Sequence, residues 1–419
     1  MTLIRTATRY RKYLVFGASN LAVPIATIFT APLLAQALGV DGRGELAAAA
    51  APLLLVVQAA TVGIPEAITY LSASGRFPER VLRRTGMVLL LITGAFGTVG
   101  IYLFSTGTFV EPSAKDALVV IAPAACPTLA VAALRAAAAS REAWSTIAAE
   151  KALNGLLQVV GIVGLFLSGN LTIMAAVVVI GYAPALAGVI YLFPRSQTIP
   201  QERVRTSAVM RGIISYGPRV WAGSVFGILL TRLDQVLMVP LSNSTELGLY
   251  VVAVTVGEVP LVVSRTVRDV MLTKDSREPS FELLARASRF AFYCCAILVA
   301  GVLATMVWSI PLLFGEEFAG VYPSLTLMLI GLLLGIPGSV AGVGLMARNR
   351  PGIRSWSIVI ATIVNIALVI VLVPHWGALG AAIAAFVSYP MGGLANIVAL
   401  RLFYGVPVRS FFVPAIARR

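Results

Sequence analysis

The sequence predicts an all-α polytopic membrane protein with twelve spans in two six-span halves. Three observations carry that prediction. The 419 residues are 58% hydrophobic and only 12% charged, a balance too apolar to clothe a soluble protein of this size. Apolar runs of about 20 residues or more, the length a helix needs to cross a bilayer, recur along the whole chain. Basic residues fall into short clusters between alternate runs.

The same composition excludes other classes. A net charge of +14 could suggest nucleic acid, but the cations alternate with apolar runs and do not line one amphipathic face. Cys126, Cys294 and Cys295 all lie inside apolar runs without CxxC spacing, which reads as buried thiols. His375 is the only histidine, so a histidine metal cluster is excluded. The sequence holds no GxxxxGK[ST], HExxH or GxSxG motif, which argues against ATP-driven or hydrolytic chemistry. No cofactor and no enzymatic activity are expected. Arg5, Arg9, Arg11 and Lys12 precede an apolar run too long for a signal-peptide core, so that run reads as the first span.

The spans are expected at 13–37, 45–73, 84–106, 116–138, 146–168, 171–194, 213–241, 247–273, 288–314, 321–346, 353–374 and 377–404. With the N-terminus inside, 28 of the 32 basic residues fall on the inner side, Arg43 and Lys115 on the outer, and Arg219 and Arg232 within span seven. This bias predicts both termini in the cytoplasm. The loop around 195–212 separates an N-terminal half, residues 1–198, from a C-terminal half, 199–404, with 405–419 as a cytoplasmic tail. Val131–Ala136 and Gly342–Ala347 are similar segments 211 residues apart, and Asn154 stands at the same offset from Asn365. A shared offset and an even span count point to a duplication whose halves insert the same way up. Prolines recur in most spans, including Pro32, Pro65, Pro123, Pro218, Pro260 and Pro390. Each removes a helical hydrogen bond and bends the helix, as hinges for alternating access would require.

Ionisable groups within spans are the candidate site, because such groups are costly in lipid and turn to a partner or to water. Arg219 and Asp234 lie about 22 Å apart along span seven and about 60° apart around it, so they share a side. Arg232 points nearly opposite to Asp234. Arg219 and Arg232 either snorkel to the headgroups or turn inward, whereas Asp234 is too short to snorkel. In span eight, Thr255, Glu258, Arg265 and Asp269 form a polar stripe on one side of the helix. Glu66, after Pro65, is a weaker signal of the same kind. Arginine binds phosphate oxygens bidentately and stays charged, so Arg219, Arg232, Asp234 and Arg265 are read as substrate-cavity candidates. Glu258 and Glu66 are candidates for coupling to protons or sodium.

Several local patterns together resemble the oligosaccharide-lipid flippase branch (Wzx-like, polysaccharide biosynthesis protein) of the multidrug/oligosaccharidyl-lipid/polysaccharide (MOP) exporter superfamily. They are Leu38-Gly39-Val40-Asp41-Gly42-Arg43-Gly44, Tyr216-Gly217-Pro218, and Arg232-Leu233-Asp234 followed by Leu247-Gly248-Leu249-Tyr250. Leu313-Phe314-Gly315-Glu316-Glu317-Phe318 and Pro374-His375-Trp376-Gly377-Ala378-Leu379-Gly380 complete the set. The resemblance covers nearly the whole chain. It implies a MATE-like pair of six-helix lobes around a central cavity in a bacterial inner membrane, and transfer of an undecaprenyl-pyrophosphate-linked oligosaccharide by alternating access. The implied partners are the lipid-linked glycan, membrane lipids, and glycosyltransferases and a polymerase of the same surface polysaccharide. A cation-coupled drug antiporter of the MATE type is the alternative, and a membrane-embedded glycan polymerase or ligase is disfavoured by the short outer loops.

Overall fold

The computed structural model describes residues 21–107, 110, 112–192, 205–277, 279–348 and 350–413. Among these there is no strand; the chain runs through α1 (Ala22–Ala60), α2 (Ile64–Ala73), α3 (Glu79–Ser105), α4 (Pro112–Ile121), α5 (Ala125–Ser140) and α6 (Trp144–Leu167). It continues through α7 (Ile173–Ala187), α8 (Thr206–Leu241), α9 (Ser244–Arg277), α10 (Phe281–Phe314), α11 (Tyr322–Ala347) and α12 (Pro351–Tyr404). Nine helical stretches among the described residues are long and apolar enough to cross a membrane. The expected start of the first span, 13–20, lies outside the described residues.

Two of the nine stretches are not single rods. Gly39 in α1 has φ 69° and Gly377 in α12 has φ 50°, values that suit glycine because it lacks a Cβ. At Gly377 the chain doubles back: a Cβ on Gly380 would lie 2.6 Å from the Leu372 carbonyl oxygen. In a straight helix, residues eight apart stand about 12 Å apart along the axis. A second irregularity interrupts the stretch after Gly39. Val62 and Gly63 have φ 44° and 69°, so α1 stops at Ala60 and α2 restarts at Ile64, where the sequence reads as one span. The break leaves carbonyls without helical donors, and side chains meet them. Thr93 donates to the Ala60 carbonyl at 2.7 Å and the Trp221 indole to that of Ala59 at 2.9 Å. Polar satisfaction of this kind is what allows a helix to break at membrane depth.

Alternation of small and large residues decides which helix faces are covered. On α3, Leu82, Gly86, Leu90, Gly94 and Ile101 are buried, while Val88, Ile92, Phe96, Val99 and Leu103 are exposed. The exposed residues recur every three or four positions, a lipid-facing stripe.

The chain forms two compact units: Met1–Leu38 with Glu45–Ile228, and Gly39–Gly44 with Leu229–Arg419. The core of the first gathers Ile64, Ile68, Leu71, Leu82, Leu90, Leu129 and Ile213. That of the second gathers Leu284, Cys295, Ile336, Val340, Leu345, Ile397 and Phe411. The short 39–44 turn is seated in the second unit by backbone contact. A Cβ on Gly44 would lie 1.8 Å from the Ser244 carbonyl oxygen, and one on Gly248 would lie 2.1 Å from that of Val40. Thr245 donates to Asp41 beside this contact. One residue on, Glu246 accepts from the Ala378 amide at 2.7 Å, so its carboxylate caps the second segment of α12, where a helix N-terminus favours negative charge. Residues 405–413 also dock. Phe411 is fully buried, and Ser288 and Tyr293 of α10 donate to the Phe411 and Phe412 carbonyls at 3.1 and 2.9 Å.

Candidate functional site

The intramembrane charges of the second unit assemble around Glu258. It sits on α9 two residues before Pro260, on a helix anchored by residues nearer its start: Tyr250, Val252 and Ala253 are fully buried. Its two carboxylate oxygens take different guanidiniums. Arg232 on α8 donates to Oε1 at 3.1 Å, and Arg265, seven residues along α9, donates to Oε2 at 3.2 Å. Seven residues return a helix to nearly the same face, which is why Arg265 reaches back to Glu258.

All three side chains keep contact with the surroundings, at 27% exposure for Arg232, 24% for Glu258 and 35% for Arg265. Pairs this accessible contribute little to stability, about 0–1 kcal/mol each. Stability therefore does not account for three ionised groups at this depth, where each is costly. Two guanidiniums share one carboxylate, which leaves guanidinium donors over for another acceptor.

Asp234 takes a different environment from Arg232. Its carboxylate is 1% exposed, accepts from Tyr250 Oη across the α8–α9 hairpin, and accepts from the Gln235 amide at 2.8 Å. Tyr250 is itself fully buried. In this conformation Asp234 therefore clamps two helices, while Arg232, two residues earlier, reaches the accessible cluster. Thr255 turns its hydroxyl to its own helix at Val251 O, 2.8 Å, and Asp269 is exposed. Arg219 lies in α8, but its side chain lies outside the described residues.

Glu66 stands in the first unit, in the opening turn of α2 directly after the Thr61–Gly63 break. Its Oε2 is buried without a hydrogen-bond partner. Tyr70, one turn on, stacks on Tyr216 of α8 with centroids 4.4 Å apart and planes 3° apart. The first unit also holds an ion pair that the sequence does not announce. Arg135 grips Glu150 with two bonds of 2.9 Å, and Tyr191 donates to the same carboxylate at 3.4 Å. Glu150 is fully buried, so this triad ties α5 to α6. The signal that could have found it is Glu150 itself, an acidic residue in the second turn of an apolar helix.

No family model and no curated protein matches the sequence. Solved structures do match the fold. The lipid II flippase MurJ in an inward closed conformation superposes with a TM-score of 0.76 at 14% identity, over 95% of this chain and 89% of that one. A multidrug resistance MATE family transporter of the MOP superfamily, inward-facing, gives 0.67 at 12% identity over 92% and 97%. A MOP superfamily transporter from Pyrococcus furiosus, described by the reverse polarity of its binding pocket, gives 0.61 at 11% over 92% and 95%. Along almost its full length, the chain has the membrane-transporter fold shared by MATE transporters and the MurJ flippase of the MOP superfamily.

Proposed function

We propose that this protein is a flippase that moves an undecaprenyl-pyrophosphate-linked oligosaccharide across a bacterial cytoplasmic membrane by alternating access. The observation that carries the proposal is the Glu258 cluster: two arginines for one carboxylate, partly accessible within membrane-length helices. An excess of guanidinium suits a diphosphate, whose oxygens take its paired donors. The fold is shared with a lipid II flippase, and the ordered motifs of the sequence support the glycan branch. The proposed topology has twelve passes in two six-span lobes. The nine apolar stretches give eleven when those broken at Gly39 and Gly377 are each counted twice, and α8 adds the twelfth. The clustering of basic residues supports cytoplasmic termini.

The MATE-type antiporter reading draws on one specific feature, the unpartnered Glu66 oxygen beside a broken helix, which suits cation coupling. Deletion separates the two readings. A flippase deletion accumulates undecaprenyl-linked oligosaccharide on the inner leaflet and loses a surface polymer. An antiporter deletion leaves the surface glycan unchanged and makes the cell hypersensitive to drugs.

Glu258→Gln should lower transport roughly tenfold or more, the rate equivalent of the ~1.5–3 kcal/mol carried by hydrogen bonds to charged groups. Its effect on the melting temperature should be small, because the pairs are accessible. Complementation of the deletion strain, scored by lipid-linked intermediates, measures it. Wild-type transport with unaltered dependence on pH and sodium would remove Glu258 from the mechanism.

A further inference from the structure

Most arginines of the second unit have an evident partner. Arg232 and Arg265 share Glu258. Arg348 holds Asp275 and lies 3.9 Å over the Phe281 ring. Arg350 lies 4.4 Å over Phe403, Arg286 pairs with Glu282, and Arg289 donates to the Ser410 carbonyl. Among the partly buried arginines with described side chains, Arg268 and Arg354 stand apart.

Arg268 is on α9, ten residues beyond Glu258, and its Nε is buried without a hydrogen-bond partner. Arg354 is in the first turn of α12, and its Nη1 points at the Met346 sulfur, 2.6 Å away. A thioether is a weak acceptor and carries no charge. The charges around Arg268 are Arg354 and Arg265, which repel it, and its neighbour Asp269, which attracts it. Two cations brought together in a partly buried setting, with one exposed carboxylate near, call for an anion.

Asn396 packs beside Arg354. Residue 342 is glycine, and a Cβ there would lie 3.2 and 3.3 Å from Cδ and Nε of Arg354 and 2.9 Å from Nδ2 of Asn396. The arginine stem and the amide can lie side by side only because that atom is missing. Asn396 is 5% exposed; its Nδ2 donates to Gly338 O at 3.2 Å, and its Oδ1 is buried without a partner. The site thus offers guanidinium donors for oxygens and one vacant acceptor for a hydroxyl.

We propose that Arg268 and Arg354, with Asn396, form a phosphate-binding site in the second unit, adjoining the Glu258 cluster on the Arg265 side and near the basic end of α9. The shared ligand chemistry is a phosphate group, from a lipid headgroup or from a soluble diphosphate. A phosphate takes two guanidiniums at once, and an accompanying hydroxyl can donate to Asn396 Oδ1. The inference rests on unpaired charges and does not require the flippase reading.

The test is thermal unfolding of the full-length protein in neutral detergent. Inorganic pyrophosphate is one arm. Mixed micelles containing phosphatidylglycerol, against phosphatidylcholine, are the other. A phosphate ligand at saturating concentration should raise the melting temperature by roughly 3 °C or more. The rise should at least halve in Arg268→Gln and in Arg354→Gln, vanish in the double variant, and persist in Arg286→Gln. A rise with phosphatidylglycerol alone identifies a lipid headgroup, and a rise with pyrophosphate alone identifies a soluble ligand. No rise in either arm, or an equal rise in the double variant, overturns the site. Should the double variant fail to purify, Arg354→Lys decides: it keeps the charge but loses the fork, so full retention of the effect also overturns it. Normal lipid-linked intermediates in the deletion strain, alongside a positive shift here, would sink the flippase reading and leave this site standing.

Discussion

Asp275→Ala should destabilise the second unit by about 3–5 kcal/mol, the usual cost of removing one member of a buried ion pair. Asp275 is fully buried and Arg348 only 8% exposed. The guanidinium meets the carboxylate with both terminal nitrogens, and Nη1 also donates to Gly344 O at 3.0 Å. Asp275 does further work by accepting from the Ser280 amide at 2.8 Å, which orders the turn from α9 into α10. Without it, Arg348 keeps the Phe281 ring and one carbonyl but no counter-charge. Melting curves in detergent measure the loss. The double replacement Asp275→Leu with Arg348→Met should recover part of it, because the penalty of the single variant is mostly an orphaned charge. A single variant within about 0.5 kcal/mol of wild type would show that water or lipid reaches Arg348.

Gly338→Ala is expected to cost about 3 kcal/mol or more, at the upper end of overpacking penalties. A Cβ on Gly338 would lie 2.1–2.2 Å from the Cα, carbonyl carbon and oxygen of Gly393. The obstacle is backbone, so no rotamer change relieves it; α11 and the second segment of α12 would have to separate. Small residues at such a crossing let membrane helices approach closely, where packing replaces the hydrophobic effect as the driving force. Gly301→Ala is the matched control, because a Cβ at Gly301 meets nothing within 4 Å. Equal melting temperatures for the two variants would contradict the crossing geometry.

The helical fold is legible in the sequence because membrane-length apolar runs are a one-dimensional signal. The turns at Gly39 and Gly377 are legible too, as LGVDGRG and PHWGALG interrupt those runs. The interruption at Thr61–Gly63 is not. It falls inside an apolar stretch and places a β-branched residue, Val62, at φ 44°, which local preference disfavours. Only Pro65 hints at it.

The candidate site divides in the same way. Arg265 beneath Glu258 follows from a seven-residue spacing on one helix. Arg232 reaching Glu258, and Asp234 reaching Tyr250, depend on how α8 and α9 are rotated against each other, which no spacing records. Helical angle does separate Arg232 from Asp234, one accessible and the other sealed. The Arg268–Arg354 pair joins residues 86 positions apart in the sequence and emerges only once the other partly buried arginines of the second unit have been matched to partners.

The 39–44 turn gives the two units an interleaved connectivity. The chain passes from one to the other at Leu38–Gly39, returns at Gly44–Glu45, and crosses again at Ile228–Leu229. A gene bisected at residue 228 would therefore not yield two complete products. The downstream fragment would lack the six residues that sit against Ser244 and Gly248, leaving two glycine-lined backbone surfaces bare. A faithful bisection would have to supply that turn to the second fragment as a separate peptide or as a graft ahead of α9. For the same reason, insertions between Leu38 and Glu45 bear on the folding of a unit that begins, by sequence count, almost two hundred residues later.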